Sequence, residues 1–144
     1  MHKVILMILL AGFSGSAAAK WEVVGKSDSN TIYVDYFSIR KTGNTAKMWF
    51  VFDFKAPQTY LGVTLLSTKE QDEFDCKEEK YRRIYLTGHA ENMVSGTVVY
   101  TEPDPGKWIP IAPDSVYVNL LKIACRKYIR GKSAPGASRE QSHH

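Results

Sequence analysis

Residues 45–55 read TAKMWFVFDFK, and their two-residue rhythm decides the fold. Ala46, Met48, Phe50, Phe52 and Phe54 fall on one side of an extended chain, and Lys47, Trp49, Val51, Asp53 and Lys55 fall on the other. Successive side chains of a strand point to opposite faces, so one apolar and one mixed face describe a half-buried antiparallel strand. Pro57 has no amide hydrogen to give to a ladder and is expected to end it.

The flanking sequence supplies partners for this strand. Upstream, WEVVG (21–25) and TIYVD (31–35) read as strands joined by the polar turn KSDSN (26–30), and YFSIRKTGN (36–44) reads as a turn or a single helical turn. Downstream come YLGVTLLSTK (60–69), YRRIYLTGHA (81–90) and GTVVYTE (96–102). In the second of these, Arg82, Ile84 and Leu86 alternate against Tyr81, Arg83 and Tyr85. PDPG (103–106) breaks the chain before KWIPIAP (107–113). Residues 113–131 then carry helix signals, with Asp114 or Ser115 to cap the start, Arg130 in the last turn and Gly131 just past the end. Asn119, Lys122, Arg126 and Arg130 form a wet stripe, while Tyr117, Leu121, Ala124, Cys125 and Tyr128 should face the sheet. Strands followed by one helix indicate an α+β fold: an antiparallel β-sheet of about five to six strands with a C-terminal α-helix packed on it.

Lys3, the apolar stretch 4–13 and Ala17-Ala18-Ala19 have the form of a secretory signal peptide covering residues 1–19. The apolar run is too short to span a bilayer, and no cysteine stands near the cleavage point to carry a lipid. The expectation is an exported protein, periplasmic or extracellular, with no membrane span or lipid anchor. Residues 20–130 would form one domain, and residues 131–144, GKSAPGASREQSHH, a disordered basic tail. The formal net charge is +4, but residues 20–125 hold 13 basic and 14 acidic side chains, whereas 126–144 hold five and one. The basicity belongs to the tail, so no broad cationic face for nucleic acid is expected.

The stretch QDEFDCKEEKYRR (71–83) sets Cys76 between acids and bases. A catalytic thiolate needs a histidine or a positive field, yet residues 20–130 contain only His89 and the charges around Cys76 are mixed. Structural zinc wants four close ligands, which two isolated cysteines and one histidine do not supply. In an exported chain the default is a disulfide, Cys76 to Cys125, clamping the helix to the sheet. Glu70, Asp72, Glu73, Asp75, Glu78 and Glu79 lack the glycine and spacing of a calcium loop and read as a solvated strand edge or hairpin. Arg82 and Arg83 could recognise a carboxylate or phosphate, although one of them should pair with the nearby acids. Trp49, on the mixed strand face, suits a binding surface together with Arg82 and Arg83. No Gly-rich phosphate loop is present, no nucleophile motif surrounds His89, and the adjacent His143-His144 pair is a weak metal signal. No catalytic residue, cofactor or metal is therefore expected.

Tyr33-Val34-Asp35, Ser38 to Asn44, Met48-Trp49, Pro57-Gln58, Ser67, Phe74-Asp75-Cys76, an arginine at Arg82 or Arg83, Gly96, Trp108, Pro113, Ser115-Val116 and Cys125 occur in that order. This ordered set resembles the bacterial surface-adhesin protein E family from Trp21 to Cys125. The resemblance implies a Gram-negative envelope protein whose C-terminal helix is tied to an antiparallel sheet by the disulfide. It also implies no catalytic residues, a protein partner in the envelope or on a host, and a capacity to form a homodimer. The function expected is a non-enzymatic binding or interaction module. The alternative is a periplasmic inhibitor of a cell-wall hydrolase or other envelope enzyme, for which the acids from Glu70 to Glu79 would form the contact face.

Overall fold

The structure is a computed structural model that describes residues 20–126. The expected signal peptide at 1–19 and tail at 131–144 lie outside the described residues, as do Tyr128, Arg130 and Gly131. One antiparallel sheet is built from β1 (Glu22–Lys26), β2 (Asn30–Val34), β3 (Arg40–Thr42), β4 (Thr45–Tyr60), β5 (Val63–Asp75), β6 (Lys80–Glu91), β7 (Ser95–Glu102) and β8 (Ile109–Pro110). The order is β1-β2-β4-β5-β6-β7, with β3 beside β4 and β8 beside β6. A single helix, α1 (residues 116–126), packs on one face. The class is the expected α+β. The strand count is larger because two short ladders form, Arg40–Thr42 on β4 within the segment that reads as a turn, and Ile109–Pro110 on β6 within KWIPIAP, where no strand was expected.

β4 organises the molecule. Ala46, Met48 and Phe50 are fully buried against α1, where they join Val34 of β2, Phe74 of β5 and Leu120, Leu121, Ala124 and Cys125 of the helix. Burying each large apolar side chain stabilises the fold by about 1.5–3 kcal/mol, so this layer dominates the energetics. Asn119, Lys122 and Arg126 stay exposed on the opposite helix face. Pro57 does not end the strand. The β4–β5 pairing runs from Thr45↔Asp75 to Asp53↔Ser67 and resumes at Gln58↔Leu65. Pro57 sits inside that irregularity, where no ladder hydrogen bond is asked of its nitrogen.

The acidic stretch is not an edge but one arm and the turn of the β5–β6 hairpin. β5 lies between β4 and β6, with Glu70 paired across to Phe50 and Leu86, and Asp72 to Met48 and Arg83. Glu70 and Asp72 are buried on the helix-side face of a central strand. The expected alternation of β6 also fails. Gln71 faces Tyr85 and Asp72 faces Arg83, so Ile84 has no opposite residue. This bulge sends Arg83 to the helix side, with Leu86, and leaves Arg82 on the outer side, with Tyr85.

Helix and sheet differ in length. An 11-residue helix is about 16 Å long, whereas the 13 residues of β5 extend roughly 43 Å. α1 therefore covers only part of its face, over Ala46, Met48, Phe50 and Phe74. The remaining part, around Phe52, Phe54 and Leu86, has to shelter itself by curling. Leu65 lies flat over Gly88, where a Cβ would come within 2.7 Å of its methyl group. Tyr60, near the tip of the β4–β5 hairpin, meets Tyr100 of β7 edge to face at 5.2 Å.

Candidate functional site

The disulfide is present. Cys76 follows β5 directly and its amide donates to the Asn44 carbonyl at 2.8 Å, which fixes its backbone beside the β3–β4 turn. Cys125 is buried on the inward side of α1, and the Cα atoms are 5.9 Å apart. The bond replaces any reactive thiol, and among the described residues no cysteine is free.

Trp49 and Arg82 share the outer face, away from the helix. Adjacent ladder rows there are Lys47↔Glu73↔Arg82 and Trp49↔Gln71↔Tyr85. The Trp49 ring packs edge to face on Tyr85 at 6.0 Å, and the Lys69 ammonium lies 5.2 Å from its centre. Arg82 donates through Nε and a terminal nitrogen to Glu73 Oε1, at 3.0 and 2.9 Å. Its guanidinium also stacks 4.9 Å from the ring of Trp108, which is partly exposed. Cation–ring contacts of this kind keep aromatic surface rigid and half-wet. The result is a platform of Trp49, Tyr85 and Trp108 interleaved with Lys47, Lys69 and Arg82, on which Glu73 supplies one negative charge. Tyr85 and Lys69 were not singled out from sequence, and Trp108 entered only as one of the residues carrying the family resemblance. Tyr85 and Lys69 are found only from their ladder positions, in the row of Trp49 and the next row, and Trp108 only from the pairing of β8 with β6.

Arg83 is on the other face, separated from this platform by the sheet. Its Nε donates to Glu70 Oε2 at 3.3 Å, and the Tyr117 hydroxyl donates to the same oxygen at 3.4 Å. Thus both arginines pair with acids, one on each side. Burial opposes the charge on Arg83, but the Glu70 carboxylate outweighs it and holds the guanidinium protonated. Asp72 is fully buried with neither oxygen hydrogen-bonded. Burial, reinforced by the neighbouring Glu70 charge, pushes its carboxyl up from 3.8 to about 10, so it is neutral at pH 7. Burial, then Glu70 and Asp72, raise the Tyr117 phenol in the same way. This cluster closes one end of a cleft of about 300 Å³ whose walls include Phe52, Phe54, Tyr60 and Leu65.

His89 is buried on the outer face, its Nε2 2.9 Å from the Thr87 hydroxyl and its Nδ1 without a partner. Burial and the Lys69 charge lower its pKa. Among the described residues no group of three or more His, Cys, Asp or Glu is placed to hold a metal ion. No helix among them is long and apolar enough to cross a membrane.

One protein family, described as Surface-adhesin protein E, matches residues 21–126. Solved structures of Haemophilus influenzae protein E share the fold. Crystal form II is 16% identical, with a TM-score of 0.56 over 67% of this chain and 81% of that one. The structure from non-typeable Haemophilus influenzae is 14% identical, with a TM-score of 0.58 over 92% of this chain and 97% of that one. No curated protein matches the chain.

Proposed function

The chain belongs to the surface-adhesin protein E family, and from that premise we propose that it is an exported, non-enzymatic module that binds a protein partner through its outer sheet face. The observation that carries this reading is the platform of Trp49, Tyr85 and Trp108 laced with Lys47, Lys69 and Arg82. Tryptophan, tyrosine and arginine are the residues that dominate protein–protein binding energy, because they bury large areas and lose little conformational freedom when they are held in place beforehand. The Arg82–Glu73 pair and the Lys69–Trp49 contact supply that preorganisation. The excess of cations over Glu73 favours a partner surface rich in carboxylates or carbonyl groups.

The hydrolase-inhibitor alternative has less to draw on. Its acidic contact face loses Glu70 and Asp72 to the interior and Glu73 to Arg82, leaving Asp75, Glu78 and Glu79 around one turn. His89, enclosed with Thr87 rather than with a carboxylate, offers no oriented general base. The test is capture of envelope and host matrix proteins by the immobilised protein. Trp49→Ala combined with Arg82→Gln should lower capture of a specific partner at least about tenfold, as expected for two central anchors of about 1 kcal/mol or more each. Capture that is unchanged by the double substitution removes the outer face from consideration.

A further inference from the structure

We propose that the cleft on the helix side of the sheet binds a small carboxylate with an apolar body, such as a fatty or aromatic carboxylic acid. The cleft exists because α1 is shorter than the strands it covers. Its volume of about 300 Å³ stands at the lower end of the range for small-molecule pockets. Phe52, Phe54, Tyr60 and Leu65 line an apolar sleeve, and Arg83 with Glu70 stands where it meets the helix.

The polar end selects the ligand's charge. Glu70 is 3% exposed, and its Oε2 already accepts from Arg83 and Tyr117. A cationic ligand would have to displace an arginine to reach it. Arg83 is the accessible partner, with a third of its side chain exposed. It engages Glu70 through Nε, and its two terminal nitrogens have no partner among the described residues. Those two nitrogens form the fork that fits a carboxylate with parallel hydrogen bonds. A wholly apolar ligand would strip water from this fork and return nothing, which is costly. A carboxylate fills the fork while its body replaces water along the aromatic walls. Asp72, the other acid of the cluster, is neutral at pH 7 and adds no repulsion.

Calorimetric titration of the purified protein with decanoate, decanol and decylamine tests this assignment. Decanoate should bind at least tenfold more tightly than decanol, and decylamine should not bind. Phe54→Ala should weaken decanoate and decanol alike, whereas Arg83→Gln should reduce decanoate to the level of decanol. If Arg83→Gln leaves Glu70 uncompensated and does not fold, Arg83→Lys keeps the charge but loses the fork, and should still lose most of the preference. Phenylpropionate in place of decanoate distinguishes a flat from a linear body. Equal binding of decanoate and decanol, no binding of decanoate at millimolar concentration, or a preference that survives Arg83→Lys would each overturn the proposal.

Discussion

Asp72 lies fully buried on β5 with Glu70 on one side and Arg83 opposite, and it keeps its proton far above the usual carboxylate range. The folded chain therefore holds a proton that the unfolded chain releases above about pH 4. The stabilisation from that proton is complete below the unfolded value and is lost as pH rises toward about 10. The slope approaches about 1.4 kcal/mol per pH unit. His89 acts in the opposite sense, since its lowered pKa costs stability as pH falls, but only below its ordinary 6.5. Between about pH 7 and 9 the two are separated. Urea midpoints should fall across that window in the parent protein and stay level in Asp72→Asn, which should be the more stable form at pH 9. A slope that persists in Asp72→Asn would place the titration elsewhere. None of this was legible in the sequence. Six acids within ten positions read as a wet edge or hairpin, whereas the structure turns Glu70 and Asp72 inward, pairs Glu70 with Arg83 and leaves Asp72 protonated.

The β6–β7 hairpin shows how far element-level reading can go. The strands on either side are present as expected, and the turn falls at residues 92–94, just before Gly96 of β7. What the turn residues do was not visible. Met93 and Val94 both adopt left-handed backbone, φ 52° and 60°. Two groups on other strands hold them there. Asp53 Oδ1 accepts from the Met93 amide at 2.7 Å, and Ser67 Oγ accepts from the Val94 amide at 2.8 Å while donating to the Glu91 carbonyl. Left-handed backbone costs a side-chain-bearing residue roughly 1–2 kcal/mol. Met93→Gly removes that cost at a partly exposed position and should raise stability by about 1 kcal/mol, net of the freedom gained by the unfolded chain. A lower urea midpoint in Met93→Gly would show that the Met93 side chain contributes more than its backbone strain takes away. The bulge at Ile84 was equally hidden, because it belongs to the β5–β6 pair and not to either strand. Alternation within YRRIYL placed Arg82 with Leu86, and one unopposed residue reversed that assignment.

At the scale of the whole molecule the sequence was more informative. The period of β4, the helix stripe and two cysteines in a chain with the form of an exported one implied a sheet, a helix on one face and the bond that joins them. All three are present, because each depends on a pattern spread over many residues and not on one local choice. The Cys76–Cys125 link closes a loop of 49 residues, and in the chain-entropy model this contributes about 4 kcal/mol. Cys76→Ser with Cys125→Ser should lower the unfolding free energy by roughly that amount, measured by guanidinium denaturation at fixed pH. A loss below about 1 kcal/mol would mean that the layer of Phe50, Phe74 and Leu120 holds α1 without it. The bond also has a mechanical side. It spans β6, β7, β8 and most of α1, so a pull applied at the two ends of the chain passes across the sulfur atoms and never loads the segment between them. That segment would add roughly 170 Å of extension if it could unravel, and while the bond is oxidised it adds only the 5.9 Å between two Cα atoms. Tension would peel β1 and β2 from the edge, while β6, β7 and the Arg83 and Tyr117 walls of the cleft stay outside the line of force.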